Sequence, residues 1–280
     1  MIPLDYITEW RGEAPWTMTS QVEQDLMLSR ALVEMFTDSS IGDRLAFRGG
    51  TALYKLHIRP AARYSEDIDL VQVDAGPIGG VIDDIRRVLD PWLGTPKRTA
   101  HEGRVILVYR TEAEGLPAAP MRLKIEINSR EHFSVFGYDQ RRLEIQSRWF
   151  TGAADVTTFQ LDELLGTKLR ALYQRKKGRD LYDLFTASRR VAVDLARVVT
   201  CFHRYLEHDG LRVSRAEFEM NLHEKVTDRT FLGDVSPLIT RASDWDVDAA
   251  AAFATHEIAP LFIGEPWRGV GPSGERRRRR

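Results

Sequence analysis

Hydrophobic residues recur at helical spacing in residues 19–36 and 78–93, and from residue 160 to residue 258 the pattern is helical almost throughout. The first half also contains short apolar or alternating segments that are typical of strands. The predicted strands are residues 44–48, 66–73, 105–110, 121–128 and 141–146. The predicted later helices are residues 160–175, 179–190, 193–208, 214–225 and 245–258. Strands mixed with helices, followed by helices alone, predict an α/β (α+β) fold with two lobes.

The predicted domain limits follow this change of pattern. We expect a strand-containing lobe in residues 1–155, a helical lobe in residues 156–265 and a flexible basic tail in residues 266–280. The tail ends in five arginines, Arg276 to Arg280. A solvated chain end is the ordinary interpretation of such a run, and a weak RNA tether is the alternative.

Composition narrows the class of protein. The 280 residues include one cysteine, Cys201, which cannot form an internal disulfide. No apolar run approaches the roughly 20 residues that span a bilayer, and the N-terminus lacks the pattern of a signal peptide. The sequence therefore predicts a cytoplasmic protein with no membrane contact. Without the five terminal arginines the 40 basic residues fall to 35 against 41 acidic ones, which argues against general nucleic-acid binding.

The candidate chemistry is concentrated in residues 49–70, GGTALYKLHIRPAARYSEDIDL. Asp67 and Asp69 are two residues apart in an apolar, strand-like run, so their side chains are expected on one face. Two neighbouring carboxylates repel each other, and a hard divalent cation such as Mg²⁺ or Mn²⁺ would compensate them. Asp-x-Asp on a solvated loop is the alternative for such a motif alone.

The preceding Gly49-Gly50 predicts a tight turn that opens a short helix over residues 51–56. Backbone N–H groups at a helix start bind phosphate. A lone Gly-Gly is usually only a turn. The order of Gly-Gly, short helix, Arg63, Ser65 and the carboxylate pair nevertheless favours phosphoryl or nucleotidyl transfer.

The same arrangement resembles the signature of the polymerase-β-like nucleotidyltransferase superfamily, and within it the AbiEii/AbiGii toxin branch. Two later segments, LLGTKLRAL at residues 164–172 and KGRDLYDL at residues 177–184, strengthen the resemblance. It implies a nucleotidyltransferase lobe with a mixed twisted sheet flanked by helices, followed by a helical lobe. It also implies a toxin of a bacterial toxin–antitoxin or phage-defence system.

The resemblance implies a reaction and partners as well. The expected activity is Mg²⁺-dependent transfer of NMP from an NTP to an RNA acceptor, with the tRNA 3′ end as the expected target and blocked translation as the result. The expected protein partner is an antitoxin of the AbiEi type. The alternatives are transfer to a protein or a small molecule, and a non-catalytic nucleotide-binding module.

The candidate nucleotide-binding residues lie around the first motif. They are Arg48, Gly49, Gly50, Thr51 and Ser65, and Lys168 of the later motif is the further candidate. Arg48 could contact the nucleotide or pair with an acid near the carboxylate strand, and Arg63 is expected to brace the carboxylates. Glu126 is the candidate third metal ligand because it shares a polar strand face with Lys124. A solvent-exposed face of an edge strand is the alternative for Glu126.

The candidate catalytic residues are Asp67, Asp69, Lys168 and Asp180, and the candidate metal ligands are Asp67, Asp69 and Glu126. The spacing of Lys168 turns it away from the core, which is typical of a solvated lysine. The resemblance instead implies that it contacts the triphosphate. Asp180 is expected either to cap the N-terminus of its helix and pair with Lys168 or Arg179, or to act on the acceptor hydroxyl. The basic run Arg175–Arg179 is the local candidate for binding an RNA backbone or the triphosphate, and a basic loop between two helices is its alternative.

Overall fold

The computed structural model describes residues 2–114, 120–240 and 245–269. Within these ranges seven strands form one mixed sheet in the order β3-β4-β5-β2-β1-β7-β6. The strands are β1 Leu45–Arg48, β2 Asp67–Gln72, β3 Lys97–His101, β4 Arg104–Glu112, β5 Pro120–Asn128, β6 Tyr138–Gln146 and β7 Thr151–Phe159. Strand β2 is antiparallel to β1 and parallel to β5.

Eleven α-helices lie within the same described ranges. They are α1 Leu4–Trp10, α2 Thr19–Thr37, α3 Ser39–Gly42, α4 Gly49–Ala52, α5 Gly79–Leu93, α6 Leu161–Gln174, α7 Gly178–Arg190, α8 Leu195–His208, α9 Arg215–Val226, α10 Arg229–Gly233 and α11 Val247–Phe253. A π-helical turn, Leu53–His57, continues α4, and the turns Ala254–Ile258 and Ala259–Leu261 follow α11. The fold class predicted from the sequence is confirmed.

Five elements were not predicted: α1, α3, β3, β7 and α10. Strand β7 shows why. Its inward positions include Ala154 and Thr158, which do not stand out as hydrophobic, and Gly152 interrupts its start. Its place is fixed by tertiary contacts instead, because the buried Thr158 hydroxyl donates to the Phe47 carbonyl oxygen of β1 at 2.6 Å.

The chain forms two compact units. The first contains the described residues up to Leu164 together with residues 236–240, and the second contains Leu165–Val235 together with residues 245–269. The boundary between the two units falls inside α6, whereas the predicted boundary at residue 155 lies inside β7. The predicted limits of a functional lobe at 155 and at 265 stay predictions, and the arginines 276–280 lie outside the described residues.

One face of the sheet is covered and the other is polar. In β5 the side chains of Leu123, Ile125 and Ile127 are buried with those of α2 and α5. Lys124 and Glu126 alternate with them and point to the opposite face. This alternation follows from the period of two in a strand, and it decides which charged residues can share a site.

A buried polar cluster fixes the first helices on the first unit. Asp25 of α2 accepts hydrogen bonds from the indole N–H groups of Trp10 at 2.9 Å and Trp16 at 3.4 Å. It also accepts one from the Lys55 ammonium at 2.7 Å. Since Asp25 is only 4% exposed, these three donors satisfy a carboxylate that burial would otherwise destabilise. The cluster ties α1 and α2 to the turn that follows Gly49-Gly50.

Replacing Asp25 by Ala should therefore destabilise the protein strongly. The change leaves the Lys55 charge and two indole N–H groups without their acceptor, a loss of about 3–5 kcal/mol in the free energy of unfolding. Urea unfolding followed by tryptophan fluorescence measures it. Asp155→Ala is the matched control, because the Arg142–Asp155 pair is exposed and is expected to contribute about 0–1 kcal/mol. Equal losses for the two variants would contradict the role of the cluster.

Candidate functional site

The carboxylates of β2 lie on the polar face of the sheet. Burial along the strand alternates from its start, with Asp67 and Asp69 partly exposed and Ile68 and Leu70 buried. The two carboxylates therefore point to one side, as the strand period requires. Asp67 and Asp69 are on a strand and not on a solvated loop, so the loop alternative for this motif is wrong.

Strand β5 places a lysine and a glutamate beside this pair. The parallel register sets Lys124 opposite Asp67 and Glu126 opposite Asp69. Lys124 Nζ lies 3.0 Å from Asp67 Oδ2 and 3.1 Å from Glu126 Oε2, and Arg104 Nη1 lies 3.2 Å from Glu126 Oε1. Burial alone would lower the pKa of Lys124, but the two carboxylates outweigh it and raise the pKa above its usual value. The acidic face thus carries its own compensating cation.

The position of β5 also settles one alternative. Glu126 was expected either as a third metal ligand or on the exposed face of an edge strand. Because β5 lies between β4 and β2, the edge-strand alternative is wrong. The role of Glu126 as a metal ligand stays a prediction, and its present partners are Lys124 and Arg104.

The Gly49-Gly50 turn approaches the carboxylates closely enough to require glycine. Gly49 has φ +84°, which favours glycine, and a Cβ at this position would come within 2.2 Å of Asp69 Oδ2. A Cβ at Gly50 would come within 2.5 Å of Arg63 Nη2. The backbone at the start of α4 therefore lies directly against the Asp69 side chain. This contact joins the predicted phosphate site to the predicted metal site within one unit.

The hydroxyl groups near the turn hold the backbone in place. Thr51 Oγ1 lies 2.6 Å from the Asp67 carbonyl oxygen and 2.9 Å from Ser65 Oγ. Since a carbonyl oxygen only accepts, the Thr51 hydroxyl donates to Asp67, and the Ser65 hydroxyl donates to Thr51. Thr51 is 2% exposed, so its hydroxyl links the helix start to β2. Direct phosphate contacts from Thr51 and Ser65 stay predictions.

The two arginines of the motif differ from each other in surroundings. Arg48 Nη1 pairs with Glu131, which follows β5, so the acid-pairing alternative for Arg48 is present in the structure. Arg63 is almost fully buried; its Nη1 donates to the Tyr64 carbonyl oxygen at 2.9 Å, and its guanidinium lies over the Tyr54 ring. Arg63 supports the Gly50 turn by contact, while its predicted bracing of the carboxylates stays a prediction.

The carboxylate oxygens of Asp67 and Asp69 suit a divalent ion that also binds the substrate. In residues 2–114, 120–240 and 245–269 no group of three His, Cys, Asp or Glu side chains is arranged to hold a metal. Magnesium commonly binds through one or two carboxylates and completes its shell with water and substrate phosphates. Asp67 and Asp69, facing the start of α4, are suited to that mode, in which the nucleotide supplies the remaining oxygens.

The second unit contains the other predicted catalytic residues as one buried cluster. Lys168 of α6 is 7% exposed, and its Nζ lies 3.0 Å from Asp183 Oδ2 and 3.5 Å from Asp180 Oδ1. The expectation that Lys168 points away from the core was wrong, because two fully buried acids of α7 draw its ammonium inward. Asp180 pairs with Lys168 as expected, but its arginine partner is Arg175 rather than Arg179. The capping role predicted for Asp180 is wrong, because α7 begins at Gly178 with Lys177 as its N-cap and Asp180 lies inside the first turn.

The basic run Arg175–Arg179 is largely neutralised by neighbouring acids. The pairs are Arg175 with Asp180, Lys176 with Asp228, and Lys177 and Arg179 with Asp234. Burial of Asp234 by itself would raise its pKa, but the hydrogen bonds from Arg179 lower it to about 2. The run was predicted as a candidate site for an RNA backbone or the triphosphate. Its charges are instead used to join α7 to the segments around α10, which favours the basic-loop alternative.

Comparisons with known proteins identify the family. Residues 30–253 match the family described as nucleotidyl transferase AbiEii toxin, type IV toxin–antitoxin system. The chain belongs to the AbiEii family. No curated protein matches the sequence significantly.

The fold is also similar to that of two solved structures. MenT4, a nucleotidyltransferase toxin from Mycobacterium tuberculosis H37Rv, superimposes with a TM-score of 0.68 at 18% identity, covering 93% of this chain and 90% of that one. JHP933 from Helicobacter pylori gives a TM-score of 0.50 at 18% identity, covering 84% of this chain and 88% of that one.

Membership of the AbiEii family gives the class of reaction. The protein is an NTP-dependent nucleotidyltransferase and the toxin of a type IV toxin–antitoxin system. The family implies a nucleotide substrate, a divalent metal ion and an antitoxin partner. In the part of the chain that the structure describes, no helix is both long and apolar enough to cross a bilayer.

Some residues around the site were not singled out from the sequence. Lys124 was noted only as a neighbour of Glu126, and Arg104 and Glu131 were not considered. The alternation of Arg122, Lys124 and Glu126 could have indicated that Lys124 shares a face with the carboxylates. Nothing in the sequence places Arg104 opposite Asn128, since strand register decides it.

Replacing Gly49 by Ala should disable the site. The new Cβ would force Asp69 away from the turn and would also impose the strain of a positive φ. We expect transferase activity to fall at least about tenfold, because a small displacement of a reacting group is that costly. The measurement is the rate of nucleotide transfer beside the thermal unfolding midpoint.

Gly137→Ala is the matched control for backbone strain. Gly137 has φ +82° and nothing lies within 4 Å of its ideal Cβ, so only the strain of about 1–2 kcal/mol remains. We expect this variant to lose some stability and to keep its activity. Wild-type activity in Gly49→Ala would show that the close approach of Asp69 is not needed.

Proposed function

We propose that the protein transfers NMP from an NTP to a hydroxyl group of an RNA acceptor, with the 3′ end of tRNA as its target. The observation that carries this proposal is the contact between Asp69 and the Gly49 turn, with Asp67 on the same strand face. It brings oxygen ligands for a divalent ion next to backbone N–H groups that suit a triphosphate.

The reaction makes one bond and breaks one. The acceptor oxygen forms a bond to the α-phosphorus of the NTP, while the bond from that phosphorus to the oxygen bridging to the β-phosphate breaks and pyrophosphate leaves. A bound Mg²⁺ or Mn²⁺ would supply charge neutralisation at the reacting phosphate oxygens. Asp67 and Asp69 would hold it, and Glu126 is the proposed third ligand once its pairing with Lys124 is exchanged.

The nucleotide is proposed to bind at the turn. The backbone of Gly49 and Gly50 would contact the phosphates, and the Thr51 and Ser65 hydroxyls would hold that backbone against β2. Arg48 directly precedes the turn, and its guanidinium pairs with Glu131. Its proposed role is to hold the end of β1 and the segment after β5 together beside the nucleotide.

Lys168 and Asp180 have complementary proposed roles. Lys168 would place a fixed positive charge that stabilises the leaving pyrophosphate. Asp180 receives two hydrogen bonds from Arg175, at 2.7 and 2.9 Å, and lies 3.5 Å from Lys168. Because Arg175 and Lys168 already contact its carboxylate oxygens, Asp180 is better suited to positioning Lys168 than to contacting an acceptor hydroxyl.

The biological setting is part of the same proposal. Nucleotides added to the tRNA 3′ end would block charging and stop translation, and this would inhibit growth or restrict a phage. NTP and tRNA are cytoplasmic, so the protein would act there. An AbiEi-type, DNA-binding antitoxin is the proposed partner, by family resemblance.

Neutralising the carboxylate pair tests the chemistry. Purified protein is incubated with total tRNA, Mg²⁺ and each α-³²P-NTP separately, beside Asp67→Asn and Asp69→Asn. Each change removes a charge that holds the metal, a loss of several kcal/mol of transition-state stabilisation, so labelling should fall about 10³-fold. Asp83→Asn is the control, because Asp83 is an exposed acid of α5, a helix on the covered side of the sheet.

The pattern of labelling decides between acceptors. Labelled tRNA from one NTP in wild type and in Asp83→Asn supports the proposal. Label in protein or in a small molecule instead of RNA would overturn the RNA acceptor while leaving nucleotidyl transfer in place. Full labelling by Asp67→Asn would contradict the role of the carboxylates.

Metal removal provides an independent test. We expect EDTA to abolish transfer, and added Mg²⁺ or Mn²⁺ to restore it, because the two carboxylates alone leave the phosphate charge without compensation. Dialysed protein assayed with each ion over a concentration series measures this dependence. Unchanged transfer in EDTA would rule out the metal at Asp67 and Asp69.

A further inference from the structure

Two arginines face each other on the polar side of the sheet. The antiparallel register of β4 and β5 sets Arg110 directly opposite Arg122. Both side chains are exposed, and neither guanidinium has a hydrogen-bond or ion-pair partner among the residues that the structure describes. Like charges directly opposite each other destabilise a sheet. Such a pair is therefore suited to an anion that lies across both strands.

The arginine pair continues the face that carries the site. Arg122 precedes Lys124 by two residues, so both point to the same side about 7 Å apart along the strand. Lys124 in turn contacts Asp67 at 3.0 Å. Arg104 also lies on this face, but Glu126 neutralises it. The unpaired positive charges of Arg110 and Arg122 therefore lie next to Lys124, whose ammonium contacts the carboxylates of Asp67 and Glu126.

The order of strands gives the two sides of the site different roles. Strand β2 lies between β1, which leads into Gly49-Gly50, and β5, which pairs with β4 and carries Arg122. In phosphoryl transfer the attacking and leaving oxygens lie on opposite sides of the phosphorus. With the triphosphate at the glycine turn on the β1 side, the acceptor hydroxyl has to approach from the β5 side.

We propose that Arg110 and Arg122 bind the phosphodiester backbone of the RNA acceptor on its approach to Asp67 and Asp69. The inference rests on the proposed function, because it takes an RNA as the acceptor. Arginine is suited to this contact, since its planar guanidinium binds phosphate oxygens through two parallel hydrogen bonds. The net charge of the whole chain is only −1, so a local pair of unpaired arginines provides attraction that the overall charge does not.

The test compares Arg110→Gln, Arg122→Gln and the double variant with wild type. Steady-state transfer to tRNA is measured between 50 and 200 mM KCl, with the KM for RNA and the KM for NTP determined separately. For the double variant we expect the KM for RNA to rise about tenfold and its salt dependence to weaken by about 1.4 in logarithmic slope, at about 0.7 for each single-stranded phosphate contact. The KM for NTP should stay unchanged.

Arg98→Gln is the matched control. Arg98 is an exposed arginine of β3 that pairs in register with Leu107, whose side chain points into the core, so it lies on the opposite face. Its replacement should leave the KM for RNA and the salt slope at their wild-type values. The thermal unfolding midpoint of every variant is measured as a check on folding.

The outcomes separate this inference from the proposed function. An unchanged KM for RNA in the double variant, while wild type labels tRNA, overturns the arginine surface alone. An equal rise of the KM for RNA in Arg98→Gln also overturns it, because the loss of any exposed positive charge would then have the same effect. A raised KM for NTP with an unchanged KM for RNA would assign the arginines to the nucleotide. If wild type labels no RNA, both proposals fall together.

Discussion

The charge balance on one face of β2 is the constraint on which the site depends. Asp67 and Asp69 point to the same side, and strand pairing adds Glu126 next to them. Three carboxylates in one place repel each other, so the face is stable only with cations among them. In the structure Lys124 lies between Asp67 and Glu126, and Arg104 contacts Glu126. A divalent ion bound with the nucleotide would take over part of that neutralisation.

Close backbone packing completes this arrangement. Gly49 has no side chain, and the space that a Cβ would need is filled by the Asp69 carboxylate. The Thr51 hydroxyl donates to the Asp67 carbonyl oxygen and so holds the start of α4 against β2. One turn later, the Lys55 ammonium donates to Asp25. The glycine turn and the carboxylate strand are consequently held together by direct contacts. Catalysis by positioning requires such contacts, because reacting groups must be held within a small distance of their productive geometry.

In the second unit, a buried lysine and two buried acids neutralise one another's charge. Lys168, Asp180 and Asp183 satisfy one another in a region from which water is largely excluded, and Arg175 closes the cluster from its exposed side. Removing Lys168 would take away the ammonium that lies 3.0 Å from Asp183 and 3.5 Å from Asp180, two fully buried acids, and such a loss is strongly destabilising. The acids around α7 also neutralise most of the basic run Arg175–Arg179. The unpaired arginines of the polar sheet face, Arg110 and Arg122, are a different kind of feature, since nothing in the described residues compensates them.

The sequence by itself determined the fold class, most of the long helices and strands, the family and the motif that carries Asp67 and Asp69, because helical and strand periods and short motifs are local properties. It did not reveal β7, in which the inward Val156 lies between the less hydrophobic Ala154 and Thr158, or the burial of Lys168, whose helical spacing indicated solvent. It could not reveal the neighbours of the carboxylates either. Only the tertiary structure decided that Lys124 lies opposite Asp67, that Gly49 packs on Asp69 and that Arg110 faces Arg122, because strand order and register depend on contacts between residues far apart in the chain.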